Sequence, residues 1–188
     1  MLGAMFDVDE FLDRCREASH ADEPVIAVRD VVQRAVSAPR TLAETLRPER
    51  AGINVLHQAD DLTVLHVVWA PGMSIYPHDH RMWAIIGIYE GQEDNAFFRR
   101  ETPRAPTLTE SGGKRLSVGD VLVLGDNTIH GVTNPLDHLT GAIHVYGGDL
   151  VAQPRSQWGP GERTERPYDF AEANQQFADA NAAWLGTS

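Results

Sequence analysis

The stretch YPHDHRMWAIIGIYEGQEDN (Tyr76–Asn95) combines a strand-like run, rich in aliphatic and aromatic residues, with two histidines either side of one aspartate. Side chains at i and i+2 of a strand point to the same face, so His78 and His80 converge while Asp79 looks the other way. Two imidazoles aimed at one point imply a metal. Asp79 is then left to anchor the strand or to bond a group around the site.

At 188 residues the chain is long enough to close a hydrophobic core as one domain without disulfide staples. The only cysteine, Cys15, cannot form an intrachain disulfide, in keeping with a reducing compartment. A net charge of −11, with no basic cluster, repels phosphate backbones and anionic lipid, so nucleic acid and membrane are not expected partners. The acidic, amphipathic start MLGAMFDVDEFLDRCREASH lacks the basic flank and apolar core of a secretory signal, and the expected location is cytoplasmic.

Residues 1–50 read as two or three helices. Val25, Val28, Val31, Val32 and Val36 recur at helical spacing, as Phe6, Phe11 and Leu12 do before them. Residues 51–150 change to β-branched runs broken by turn residues at QADD and APG, and later at SGGK, SVGD, LGDN and YGGD. Many short strands at such spacing predict a mainly β sandwich or small barrel. In residues 151–188 a Pro/Gly/Arg-rich run, QPRSQWGPGERTERP, reads as an ordered surface arm or loop. It leads to a terminal helix in which Phe170, Phe177 and Trp184 share one stripe.

Two spaced motifs support the metal. Gly72 lies six positions before His78 in GMSIYPHDH, and Gly91 ends the same block. Further on, GDVLVLGDNTIHGVTN supplies Gly119, His130 and Asn134. These resemble the two motifs of the cupin superfamily, which implies a double-stranded β-helix barrel, with N-terminal helices and a C-terminal helix added here. The resemblance gathers His78, His80 and His130 around one metal. The glutamate usual in the first cupin motif is absent, its place falling at Ala84 and Ile85. Three neutral imidazoles favour a first-row transition metal over Mg²⁺ or Ca²⁺. Without a protein carboxylate the ion keeps its full charge, which suits an anionic substrate such as a thiolate or enolate.

HVYGGD follows, with His144 and Tyr146 on one strand face. From about Ile53 to Asp149 the chain resembles the cysteine dioxygenase family of thiol dioxygenases, including its bacterial mercaptopropionate-oxidising branch. The resemblance implies Fe(II) on the three histidines and a Ser-x-His-x-Tyr series that holds a tyrosine hydroxyl near substrate and O₂, giving His144 and Tyr146 catalytic roles. Three departures stand beside it. Ala142 replaces the serine, so His144 needs another partner. No barrel cysteine exists to crosslink a tyrosine. The arginine that binds the substrate carboxylate in cysteine dioxygenase is missing from AGIN (Ala51 to Asn54). Arg81, Arg99 and Arg100 are the candidate substitutes, each able to fork onto a carboxylate. Arg81 is turned from the metal by strand alternation, and one of Arg99 and Arg100 faces inward.

Trp83, Ile85, Tyr89 and Trp69 read as core or pocket wall, and His20, His57, His66 and His138 as structural or exposed. The expected function is a mononuclear non-haem iron dioxygenase taking a small thiol and O₂ to a sulfinate. Two alternatives are a three-histidine cupin that cleaves a C–C bond of a β-diketone or enol, and a metal- or ligand-binding cupin without turnover. Other first-row metals and any oligomeric state are compatible with the sequence.

Overall fold

The computed structural model describes residues 5–102, 107–159 and 164–186. Three helices come first: α1 (Val8–Ser19), α2 (Pro24–Val36) and α3 (Pro39–Leu46). Their starts are written locally. Asp7 caps α1 by accepting the Glu10 N–H at 3.0 Å, and Pro24 and Pro39 open α2 and α3, where a missing N–H costs nothing.

Nine strands then follow: β1 (Gly52–Gln58), β2 (Thr63–Trp69), β3 (Ser74–Asp79), β4 (Ala84–Glu90), β5 (Gln92–Arg100), β6 (Leu108–Ser117), β7 (Val121–Leu124), β8 (Ile129–Thr133) and β9 (Thr140–Tyr146). All pair antiparallel and in nested order, β2 with β9, β3 with β8, β4 with β7, and β5 with β6. That nesting defines the double-stranded β-helix of the cupin fold. One sheet runs β1-β2-β9-β4-β7; the other ends β3-β8-β5-β6.

The three central strands of the first sheet are buried on both faces, which is why TVLHVVW, AIIGIYE and TGAIHVY read as nearly continuous apolar runs rather than alternating ones. Leu65, Val67, Ile86 and Ala142 face the barrel interior, while Val64, Ile85, Ile143 and Val145 face the helices. Val28, Val32 and Val36 of α2 are fully buried against that outer face, each contributing roughly 1.5–3 kcal/mol of burial. Helices and sheet therefore share one core. The close approach depends on Gly87, where an added Cβ would lie 2.5 Å from Val32 Cγ1. The motif residue Asn134 also has a mechanical role: its side-chain NH₂ donates to the carbonyls of Trp69, Ala70 and His138, and its oxygen accepts the Leu136 N–H.

The Pro/Gly/Arg-rich run departs from the expected surface arm. Arg155, Ser156, Gln157 and Trp158 are buried, and β10 (Ser156–Trp158) joins the second sheet beside β3, with β11 (Glu165–Pro167) outside it. Residues 160–163 of that run lie outside the described residues. Helix α4 (Phe170–Leu185), capped by Asp169, packs back on the barrel. Phe177 stacks on Trp69 with ring centroids 5.3 Å apart, and Asn181 both donates to and accepts from the Ala51 backbone. Among the described residues no helix is long and apolar enough to cross a membrane.

Candidate metal centre and its pocket

His78 on β3 and His130 on β8 are cross-strand partners, and His80 follows β3 directly. The three imidazoles meet inside the barrel with centroids 4.7–5.0 Å apart, and one ring nitrogen from each lies within 4.8 Å of the others. Their tautomers are constrained. His78 Nδ1–H donates to the Tyr76 carbonyl at 2.9 Å, and His130 Nδ1–H donates to Asn95 Oδ1 at 2.7 Å. In both rings the lone pair is therefore on Nε2. His80 Nε2 faces His130 Nε2 at 3.4 Å, and the His80 Nδ1 has no hydrogen-bond partner.

All three rings are held neutral. Burial, then the positive charge of Arg155, pushes His78 down to about 3. Burial and then the neighbouring histidines hold His80 and His130 well below the ordinary range. Three neutral imidazoles with converging nitrogens and no carboxylate among them fit a first-row transition metal ion. Hydrogen bonds on the far nitrogens of His78 and His130 supply the orientation that metal-bound histidines need.

The opposite wall comes from β9. His144 Nδ1 lies 3.0 Å from the Tyr146 hydroxyl, and the Tyr146 ring meets His80 edge-on with centroids 4.9 Å apart. Burial raises the Tyr146 phenol, with the Arg155 charge acting the other way. Both side chains line the same cavity as the three histidines, together with Trp69, Arg155 and Tyr168.

Arg155 was not among the sequence candidates. It is 7% exposed, and its guanidinium lies 3.3 Å from the centroid of the Tyr168 ring and 5.0 Å from that of Phe170. Nη1 donates to the Asp79 carbonyl at 3.3 Å, Nε has no partner, and no carboxylate of the described residues pairs with it. Arg81, Arg99 and Arg100 do not line the cavity. Arg81 pairs with Asp79, Arg100 pairs with Glu165 over the Trp158 ring, and Arg99 is exposed. Its place in a Pro/Gly-rich run without periodicity hid Arg155.

Glu93 and Asn95 were also missed. They face inward from β5 at i and i+2, a spacing that could have revealed them beside the apolar Phe97. Asp79 turns away from the three histidines, as its alternation requires, and anchors the Ser156 N–H at 2.7 Å. His66 is buried on the helix side of the sheet, bonded to Tyr89 at 2.6 Å.

No protein-family model matches the chain. Solved structures similar to it include an RmlC-like cupin family protein with a double-stranded beta-helix fold from Methanocaldococcus jannaschii. It is 11% identical, with a TM-score of 0.44 over 53% of this chain and 81% of that one. A cupin superfamily protein from Desulfitobacterium hafniense DCB-2 is 16% identical, with a TM-score of 0.43 over 55% of this chain and 82% of that one. An uncharacterized protein with a double-stranded beta-helix domain from Klebsiella pneumoniae is 13% identical, with a TM-score of 0.44 over 79% and 87%. Similarity of this size carries no information about substrate. The chemistry has to come from the chain's own residues: a cupin barrel with a three-histidine group able to hold a metal ion.

Proposed function

We propose that the chain is a mononuclear non-haem iron dioxygenase that converts a small thiol bearing a carboxylate, of the 3-mercaptopropionate type, with O₂ to the sulfinate. The observation that carries this reading is Arg155. Among the described residues the buried guanidinium has no anionic partner, which is costly, and a ligand carboxylate would supply both the charge and the acceptor. The Tyr168 ring beneath it keeps the planar fork from swinging away.

His78, His80 and His130 would hold the ion; bound ferrous iron supplies the redox capacity that lets O₂ react with sulfur. Because the three ligands are neutral, the site favours the thiolate over the thiol. Ile53, Leu65, Val67, Val132 and Leu150 give the cavity an apolar wall for a short methylene chain. No acidic side chain is among its lining residues, so an ammonium would enter unmatched beside Arg155. That disfavours cysteine relative to a thiol acid without an amino group. The Tyr146 hydroxyl, held by His144, is the polar group available to bond the reacting atoms. An enolate would satisfy the metal and leave Arg155 unpaired, so the thiol reading is preferred to C–C cleavage.

The test is oxygen uptake by anaerobically purified, Fe(II)-loaded protein with 3-mercaptopropionate, L-cysteine, cysteamine and 2,4-pentanedione. Uptake greatest with 3-mercaptopropionate, yielding its sulfinate and lost in His130→Ala, is expected. Uptake with 2,4-pentanedione alone, or with no carboxylate-bearing thiol, would overturn the reading.

A further inference from the structure

Glu93 has no exposed surface, and no lysine or arginine of the described residues pairs with it. Instead it takes the Trp69 indole N–H on Oε2 at 2.9 Å and the Asn95 NH₂ on Oε1 at 3.0 Å. His144 Nε2 stands 3.4 Å from Oε2, long for a hydrogen bond, with no other partner among the described residues.

A carboxylate only accepts, so each neighbour must donate to it. The consequences run in two directions. Asn95, having turned its NH₂ to Glu93, must present its carbonyl oxygen to His130. His130 then has to carry its proton on Nδ1, which leaves the Nε2 lone pair toward the other two histidines. On the second branch, His144 Nε2 faces the acceptor Oε2, so the ring turns an N–H rather than a lone pair toward Glu93. His144 Nδ1 is left to accept from the Tyr146 hydroxyl, whose oxygen lone pairs then face the cavity.

We propose that Glu93 is a positioning residue that sets the donor–acceptor order of the whole pocket. Through Asn95 it fixes the nitrogen that His130 offers to a metal; through His144 it fixes the direction of the Tyr146 hydroxyl. It takes over, from a different strand, the orienting task that Ala142 cannot perform. The first branch rests on the three-histidine metal reading.

Glu93→Gln keeps the shape and changes the order. The indole N–H of Trp69 can only donate, so the new amide keeps its oxygen there and turns an NH₂ toward Asn95. Asn95 must flip and offer its own NH₂ to His130 Nδ1, and the ring proton moves to Nε2. Adding Asn95→Asp restores the order, because a carboxylate at position 95 accepts from both sides.

The experiment is anaerobic Co²⁺ titration of the natural chain, Glu93→Gln and Glu93→Gln/Asn95→Asp, with ¹⁵N imidazole spectra of each metal-free protein. The expected result is an Nδ1-protonated His130 in the natural chain and an Nε2-protonated one in Glu93→Gln. The Co²⁺ dissociation constant should rise roughly 10- to 100-fold in the single variant and recover in the double one. An unchanged tautomer and affinity in Glu93→Gln would overturn the inference. So would a double variant no better than the single, since that marks ordinary core damage. Failure of the natural chain to bind Co²⁺ would sink the metal centre instead, and the spectra, which need no metal, would still decide the role of Glu93.

Discussion

The guanidinium of Arg155 lies flat against Tyr168, 3.3 Å from the ring centroid, and the Arg155 carbonyl accepts the Tyr168 N–H at 2.9 Å. Backbone and side chain thus lock one cation into the wall of the histidine pocket. Arg155→Lys keeps the charge but loses the stack and the fork. KM for 3-mercaptopropionate should rise about 10- to 100-fold, the worth of a hydrogen bond to a charged group, with kcat changed far less. 1-Propanethiol, which has neither carboxylate nor ammonium, serves as the control in the same steady-state assay. An equal loss for both thiols would mean that Arg155 only supports the fold.

Asp79 stands between two of the histidines yet serves the outer seam. Its Oδ1 accepts the Ser156 N–H and its Oδ2 the Arg81 Nε–H, both at 2.7 Å. Its own carbonyl accepts from Arg155 at 3.3 Å. Arg81 is half exposed, so that ion pair contributes little. The buried backbone contact matters more. Asp79→Ala should destabilise the chain by about 1–3 kcal/mol in urea denaturation, and weaken carboxylate binding by loosening β10. Asp79→Asn, which still offers an oxygen to Ser156, should lose less; equal losses would place the effect in the charge.

Strand alternation made the His78/His80 pair legible, while the barrel and the place of His130 came from the resemblance to two spaced motifs. His78 and His80 share a face, Gly72 and Gly91 bound the block, and His130 recurs in a second spaced motif. What escaped depends on the closed fold. Arg155 enters the pocket from a run with neither helical nor strand period, and only its pairing beside β3 brings it there. Glu93 and Asn95 share a face with Phe97, but their polar character pointed to solvent; they turn inward because β5 lies between β8 and β6, with one face against the barrel interior. Arg81 and Arg100 were read for their chemistry, but acidic partners on the outer seam had already engaged them.

Gly91 bounds the first motif for a steric reason. It adopts φ +74° where β4 turns into β5, and an added Cβ would lie 2.9 Å from the Thr140 Cα and 3.0 Å from the Leu139 carbonyl oxygen. No rotamer change relieves a clash with backbone. Thr140 also clamps Gln92 in both directions at this point. Gly91→Ala should cost on the order of 3 kcal/mol, adding overpacking to a disfavoured φ. The urea midpoint should fall with little change in slope; a shift under 0.5 kcal/mol would contradict the geometry.

His66 gives the metal-free fold a pH dependence with a defined sign. Burial, then coupling to the nearby His144 ring, lowers its pKa from 6.5 to about 4, and the ring is neutral against the Tyr89 hydroxyl at 2.6 Å. The unfolded chain binds a proton here below about pH 6.5, whereas the folded chain resists until about 4. Stability from this residue is therefore complete above pH 6.5 and is lost as pH falls toward 4. The shift corresponds to about 3 kcal/mol. His66→Gln can still accept from Tyr89 and does not titrate. Its unfolding free energy should fall less than that of the natural chain between pH 7 and 4, by about that amount. Parallel curves for the two proteins would show that His66 does not carry the acid sensitivity.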